Sequence, residues 1–524
     1  MNIFASHGNS IATTRAPRAT EIKWHWGQWA LIVGAICIGA ILRFAIDLEH
    51  GLWEDEIIAV THAVQSFPHF FVQILRNDIH PPLYFLQLHL WGKISHSDIW
   101  FKANSALWGT VALLSLWFIL REWRSERLAW TAAAMLAILP TGLWMSQEVR
   151  PYAWLSTLVI WTHYFSLRSF AHSQKNTQNY LILLLGSLCI IYSHALGFLA
   201  VFFLGIFGLI LLRGRMASRR ELSHWLLLYS LAATASMPVI VSNLLHDANL
   251  GDPVSPNDIM SWLSSLITAR DARGWSWWAG LAVYLAIVFG GLILAHTRIV
   301  TICFLVAPLA VAALVSTGLK PVFKSNFFGA FLAPFIAIVL AELCIGMRPR
   351  IQKFAIAFSL ALLLAINTAG WANKLASTDF RHAALDIQGR LQPEDVVYAP
   401  QLSIFWGMAW YLAGPQWGSA LMIANPPTAQ WRRVYTFLGP WLVDLLQLMP
   451  RTQTVPLHNG ARLVVGNDSI SQVTEAARRI WLITYQRADL PDDFPPDSLG
   501  PFPKSREVRH GSLTVSFYES HETR

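Results

Sequence analysis

Apolar stretches of membrane-crossing length recur along this chain between short basic loops, and they constrain its fold more than any other feature. Read at the length that spans a bilayer, roughly 20 residues, they fall at 29–47, 103–121, 128–146, 152–168, 180–194, 195–212, 224–243, 275–296, 299–316, 327–345 and 354–371. Within hydrocarbon the protein must satisfy every backbone polar group itself, which leaves helices or a closed barrel. Continuous apolar runs of this length predict helices. The chain is 54% hydrophobic and 13% charged, whereas a soluble domain carries about a quarter charged residues. Most of it is therefore predicted to lie in lipid.

The formal net charge of +8 does not point to nucleic acid, because the Lys and Arg fall largely in short loops, the positive-inside pattern. One segment decides the topology. Pro82-Leu83-Tyr84-Phe85-Leu86-Gln87-Leu88-His89-Leu90-Trp91-Gly92 is apolar but short for a span. If it does not cross, Arg121/Arg124/Arg127, Arg168/Lys175, Arg213/Arg215/Arg219/Arg220, Arg298 and Arg348/Arg350/Lys353 all share one side. We therefore expect 82–92 to be a helix lying against or dipping into the outer face. That gives about eleven spans, with the N-terminus cytoplasmic and the C-terminus outside. Several of the 25 tryptophans stand at span ends (Trp53, Trp100, Trp144, Trp275, Trp371), where indole rings favour the interface. Residues 1–28 are polar, with Arg15, Arg18 and Lys23, and read as a cytoplasmic tail; no removable signal peptide is expected. Cys37, Cys189, Cys303 and Cys344 sit inside apolar runs without metal-ligand spacing, which argues against disulfides and zinc sites.

Residues 29–371 thus read as a transmembrane domain whose first external loop runs over 48–102. In that loop Ile57, Val60, Val64 and Phe67 recur at helical spacing, Pro68 ends the helix, and Phe70, Phe71, Ile74 and Leu75 begin a second apolar face. Both are expected to be juxtamembrane helices in the interface plane, framing a pocket. Residues 372–524 differ in composition. A helix-like run at 379–386 precedes strand-like stretches at 396–398, 462–465, 480–485 and 513–518, which predicts a soluble α/β domain on the outer face.

The first external loop also carries Glu54, Asp55, Glu56, Asp78 and His80 just beyond a hydrocarbon boundary, where ionisable groups are costly unless they face water or perform a task. On the expected topology they share the outer face with Lys102, Glu148, Arg150, Tyr152, Tyr192, His194, Lys320 and Lys324. Carboxylates together with several cations suit a reaction in which a base activates a hydroxyl or amine while cations hold a phosphate. Simpler roles compete. Asp55 can cap or solvate the helix it begins, and Glu56 can do the same. Glu148 and Arg150 can form a local ion pair, and His194 can be a satisfied core histidine. Arg43 and Glu342 read as snorkelling side chains, and His62, His69, His89, His163 and His296 as interfacial ones.

Taken in order, Trp53-x-Asp55-Glu56, Asp78-x-His80-Pro81-Pro82-Leu83-Tyr84, Ser146-Gln147-Glu148-x-Arg150-Pro151-Tyr152 and Tyr192-Ser193-His194 resemble the GT-C membrane glycosyltransferases. Within these the chain is most similar to the protein O-mannosyltransferase and lipid A aminoarabinose transferase group, glycosyltransferase family 39. The resemblance extends to Pro321-Val322-Phe323 and to Asp379-Phe380-Arg381-x-Ala383-Ala384, and covers Arg43 to about residue 400. It implies a GT-C fold with a small C-terminal α/β periplasmic domain, in a cell inner membrane. It also implies transfer of a sugar from a polyprenyl-phosphate carrier to an envelope acceptor (protein, lipid or polysaccharide) at the outer face, with inversion and with no obligatory metal or other cofactor. Asp55 inherits the role of base or acceptor-orienting residue, with Glu56 supporting it. Asp78 and His80 inherit the donor phosphate region, where Lys102, Glu148, Arg150, Lys320 and Lys324 would assist and Tyr84, Tyr152, Tyr192 and His194 would shape the pocket. Two positions depart from the group's pattern. Lys102 stands where arginine is usual, and Asn326-Phe327 where Arg-Tyr commonly follows, with Lys324 two residues earlier. Lysine holds phosphate as a point charge, without arginine's bidentate fork.

Two other classes bear comparison. A transporter or flippase needs ionisable groups near mid-membrane and broken helices in matching halves; here those groups gather at one face, and no matching halves are evident. An assembly or sensor protein would act through residues 372–524 alone.

Overall fold

A computed structural model describes residues 26–45, 51–67, 74, 80–171, 177–214, 219–245, 255–269, 274–318, 325–374, 378–415, 454–457, 460–465, 477–485, 496–499 and 502–519. They fall into two compact units. A helical unit comprises Met1–Ala45 with Ser105–Asn373, and a sheet unit comprises Ile46–Asn104 with Lys374–Arg524. The first loop, expected with the membrane domain, thus groups with the C-terminal residues.

In chain order the helices are α1 (Trp26–Phe44), α2 (Glu54–Val64), α3 (Leu83–Gly92), α4 (Asp98–Trp123), α5 (Glu126–Ile138), α6 (Pro140–Met145), α7 (Tyr152–Ala171), α8 (Thr177–Ile191), α9 (Gly197–Gly214), α10 (Arg219–Leu245), α11 (Pro256–Thr268) and α12 (Trp275–Ile293). Next comes α13, which starts at Arg298–Val300, passes through a π-helical turn at Thr301–Val306 and continues as Ala307–Gly318. The last four are α14 (Ser325–Ile345), α15 (Pro349–Lys374), α16 (Phe380–Gln388) and α17 (Leu402–Ala413). Among the described residues, five stretches are long and apolar enough to cross a membrane: Asp98–Trp123, Trp275–Ile293, Arg298–Ser316, Phe328–Ile345 and Pro349–Ala369. The chain is a multi-pass membrane protein. Every apolar run picked out in the sequence is helical, although several are shorter than a full span.

The helical unit packs around α14, whose Phe328, Phe331, Phe335 and Ile336 are fully buried. Phe335 stacks on Phe304 of the π-helical turn with ring centroids 3.9 Å apart. The predicted span 128–146 is broken. Pro140 has no N–H and forces Leu139 into an extended conformation (φ −60°, ψ 119°), so α5 stops and α6 restarts. The break deprives the carbonyls of Leu136 and Ala137 of helical donors. Arg43 of α1 supplies them: Nη1 donates to Ala137 O at 2.6 Å and to Gly39 O at 2.9 Å, and Nη2 to Leu136 O at 3.0 Å. Arg43 is 1% exposed. It does not snorkel, as its place near a span end suggested; the break draws it inward. Gly39 makes the approach possible, because a Cβ there would lie 2.3 Å from Ala137 O.

Glu342 also departs from expectation. Instead of reaching for water, it accepts from Arg124 at 3.1 Å and contacts His296 Nε2 at 3.2 Å. Arg127 donates to Gln352, so the basic turns near residues 124, 296 and 350 share one end of the unit. His163 is not at an interface either; its ring packs among those of Phe207, Phe304 and Phe335. Helix α11 lies where the sequence suggested only a loop. Its signal was present: Ser255 Oγ accepts from Asp258 N–H and Asp258 Oδ2 from Ser255 N–H, a capping box with Pro256 in the first turn.

Among its described residues the sheet unit holds seven strands: β1 (Val396–Ala399), β2 (Thr454–Pro456), β3 (Arg462–Val465), β4 (Arg479–Tyr485), β5 (Ser498–Leu499), β6 (Phe502–His510) and β7 (Leu513–Glu519), in the order β2-β3-β1-β4-β7-β6-β5. The central β1 runs parallel to β3 and β4, and the other pairings are antiparallel. The four predicted strands are present; the charged strand β6 and the short edge strands β2 and β5 were not foreseen. Asp379 caps α16 by accepting from His382 N–H, as its Asp-Phe-Arg opening suggests. Helix α17 packs on α16 where Gly407 lies against the Phe380 ring. At the head of β1, Asp395 is 1% exposed and accepts from Trp481 Nε1 at 3.0 Å and from Gln392 N–H at 3.0 Å. The Arg479 guanidinium lies 3.3 Å from its other oxygen.

These contacts set two expectations for stability. Asp395→Ala removes the buried carboxylate that pairs with the largely covered Arg479 and accepts from Trp481 and Gln392, and is expected to destabilise the sheet unit by about 2–4 kcal/mol, read as earlier denaturant unfolding by intrinsic fluorescence. Gly39→Val is expected to lower the thermal midpoint of the detergent-solubilised protein, with a cost of about 1–3 kcal/mol from overpacking against Ala137; an unchanged midpoint would contradict the close approach.

Candidate active site

The expected site residues fall into one group in each unit. In the sheet unit the centre is the first turn of α2, where Glu54, Asp55 and Glu56 follow one another, a placement the helix dipole favours for carboxylates. Trp53 is the N-cap, so Asp55 does not cap the helix; it occupies the second helical position and is half-buried. Glu56 is 2% exposed and its Oε2 accepts from Trp53 N–H at 3.1 Å, the capping role considered for it. Glu54 Oε2 accepts from Tyr485 Oη of β4 at 3.0 Å. The two flanking acids therefore hold the turn that presents Asp55.

The backbone entering this turn is gripped as well. Gly51 has φ +72°, a conformation that favours glycine, and a Cβ there would meet Tyr411 Oη at 2.3 Å. Leu52 N–H donates to Tyr411 Oη at 2.6 Å, and Tyr411 Oη donates in turn to Asp98 Oδ2 at 2.7 Å. Trp410 Nε1 donates to Asp98 Oδ1 at 3.3 Å. Lys102 is buried, and its Nζ donates to Gly51 O at 2.7 Å. Burial first, and then the Asp98 carboxylate, push Tyr411 above the ordinary phenol range, so it keeps its proton and remains a donor to Asp98. His80 and Tyr84 are buried at the approach to α3 and in its first turn.

The neighbouring histidines correct the interfacial expectation. His89 Nδ1 lies 2.6 Å from Ala63 O, near the end of α2. His62 is fully buried, with Phe85 and Trp406 against its ring. The apolar spacing 57–60–64 does face inward from α2, but Phe67 lies past its end and is exposed. The helix stops at Val64 through an extended Gln65, before the proline that was expected to break it.

In the helical unit, Glu148 and Arg150 lie buried in the tight turn between α6 and α7, where Arg150 N–H donates to Glu148 O at 2.8 Å. Gln147 Nε2 ties this turn to α1 by donating to Leu42 O at 2.6 Å. Tyr152 opens α7, stacks on Trp144 at 6.3 Å, and faces the His194 ring at 6.0 Å. His194 is buried and its Nδ1 accepts from Leu196 N–H at 3.1 Å, while Tyr192 Oη donates to Ala235 O at 2.9 Å. The structure thus gathers Glu148, Arg150, Tyr152 and His194 around the 144–152 and 192–196 turns. Asp78, Lys320 and Lys324 lie outside the described residues, as do His69, Phe70, Phe71 and Leu75. Among the described residues no three His, Cys, Asp or Glu side chains converge as metal ligands.

Asp98, Tyr411 and Gln147 escaped the sequence reading. Asp98 carries no motif in the sequence, and Tyr411 is 359 residues from the amide it accepts from, with no local signal to connect them.

The sequence matches no model of a known protein family and no curated protein sequence. Its structure does have counterparts. ArnT from Cupriavidus metallidurans in the apo state superposes with a TM-score of 0.56 at 12% identity, over 94% of this chain and 98% of that one. The same protein bound to undecaprenyl phosphate gives a TM-score of 0.53 at 11% identity, with the same coverage. At this identity the likeness is one of fold, and it runs nearly end to end: the chain has the fold of the GT-C membrane glycosyltransferases.

Proposed function

We propose that this chain is a glycosyltransferase that takes a sugar from a polyprenyl-phosphate carrier and passes it to an envelope acceptor at the outer face of the membrane, inverting the anomeric centre. The observation that carries the reading is the first turn of α2, where Glu54 and Glu56 bond to the surrounding structure and fix the acid between them. Asp55 then acts as the base or acceptor-orienting residue. The GT-C fold supports the reading, since one of its counterparts holds undecaprenyl phosphate.

In this reaction the acceptor oxygen or nitrogen attacks the anomeric carbon from the face opposite the phosphate. Its proton passes to Asp55, and the bond from the anomeric carbon to the phosphate oxygen breaks. The polyprenyl phosphate leaves with the electron pair. Because phosphate is already a good leaving group, the site needs positive charge at the departing oxygens more than it needs a general acid. The sequence resemblance assigns that task to His80, Lys102, Arg150, Lys320 and Lys324. The same resemblance assigns donor binding also to Asp78, Tyr84, Glu148, Tyr152, Tyr192 and His194. A cell inner membrane, with the sheet unit in the periplasm, is the location this reading requires.

In membranes supplied with a polyprenyl-phosphate sugar, Asp55→Asn is expected to lower kcat by about a hundredfold or more, the range for a lost general base. Glu56→Gln, which keeps an acceptor for Trp53 N–H, retains most of the activity. Undiminished transfer by Asp55→Asn would defeat the assignment. Arg150→Met is expected to raise the donor KM about tenfold with a smaller effect on kcat, the signature of lost binding to the phosphate; an unchanged donor KM would remove Arg150 from that role.

A further inference from the structure

A single peptide group carries the bonds that fix the approach to α2. The Gly51 carbonyl and the Leu52 amide belong to the same planar unit. Lys102 Nζ holds its oxygen at 2.7 Å, and Tyr411 Oη holds its nitrogen at 2.6 Å. Both grips are rooted in one helix. Lys102 projects from α4 directly, and Asp98, four residues earlier on α4, anchors Tyr411 at 2.7 Å. Residues i and i+4 lie on the same helix face, so α4 presents an acid and a base side by side to the two ends of one peptide. Leu52 is fully buried, so its amide would have no solvent to turn to if Tyr411 lost its oxygen. Gly51, at positive φ, is where this peptide could otherwise rotate.

We infer that Asp98, Tyr411 and Lys102 form a clamp that sets the orientation of the Gly51–Leu52 peptide and thereby the position of Asp55 three residues on, with Tyr411 as a positioning residue contributed by the C-terminal part of the chain. The inference rests on the assignment of Asp55 made above. It adds that residues 402–413 are part of the apparatus that aims the base. Trp410 reinforces the clamp by bonding the other oxygen of Asp98.

The test uses the full-length protein in lipid nanodiscs, with two readouts: hydrogen exchange of the Leu52–Glu56 segment, and transfer from a polyprenyl-phosphate sugar. Tyr411→Phe keeps the ring and removes both bonds. It is expected to speed exchange at the Leu52 amide by about tenfold or more while leaving α16 and the sheet protected. It is also expected to lower kcat by about tenfold with the donor KM within about twofold of wild type. Asp98→Ala should behave like Tyr411→Phe, whereas Asp98→Asn keeps one oxygen as an acceptor for the tyrosine, gives up the bond from Trp410, and should lie clearly closer to wild type than Asp98→Ala on both readouts. Unchanged exchange at Leu52 in Tyr411→Phe overturns the clamp. So does faster exchange spread evenly over α16 and the strands, which would make Tyr411 a general stabiliser of its unit. If Tyr411→Phe does not assemble, the contrast between Asp98→Ala and Asp98→Asn decides the matter in its place. A wild-type protein that transfers no lipid-linked sugar would refute the proposed activity, and the exchange data would still decide the clamp.

Discussion

Backbone satisfaction in a medium without water is the constraint on which the helical unit depends. A continuous helix meets it automatically, and a broken one does not. The break at Leu139–Pro140 releases two carbonyls, and the buried guanidinium of Arg43 occupies the gap by bonding to both. That arrangement joins α1 to the α5–α6 corner. Together with the bond from Gln147 to Leu42 it fixes the turn carrying Glu148 and Arg150. A charge placed among apolar helices thus serves the polar turn beyond them.

The sheet unit meets a different requirement with comparable means. Three carboxylates in one helical turn repel each other, and the turn persists because two of them have donors, the Trp53 amide and the Tyr485 hydroxyl. The entering peptide is bonded at both its oxygen and its nitrogen. Neither arrangement uses residues close in sequence alone. The strand carrying Tyr485 and the helix carrying Tyr411 both come from the far end of the chain.

How much of this was legible follows from the range of each interaction. The spans were readable because apolar length is a local property, and so were β1, β3, β4 and β7, whose apolar runs are bounded by Pro and Asp clusters. The helix that follows Asp379 and the place of Asp55 in the first turn of a helix were readable from short stretches of sequence. The break at Pro140 was not drawn although the proline was visible, because the apolar run continues through it. Helix α11 had a readable Ser-Pro-Asn-Asp start that was passed over. Strand β6 hides behind its charges: Lys504, Arg506, Glu507, Arg509 and His510 crowd its nine residues, of which Phe502 alone is buried. The roles of Arg43, Glu342, Asp98 and Tyr411 could not be read at all, since each is set by a partner on another element.

The tie between Leu52 and Tyr411 also fixes an order of events during biosynthesis. Their separation is 359 residues, and at a translation rate of about 5–20 residues per second the early segment waits roughly 20–70 seconds before its partner leaves the ribosome. Throughout that interval the acidic turn and its neighbouring apolar side chains must be shielded by lipid, by the insertion machinery or by a helper protein. Maturation of the proposed reaction centre is therefore a late step in the birth of this polypeptide, completed only after the five described membrane-length helices have been made.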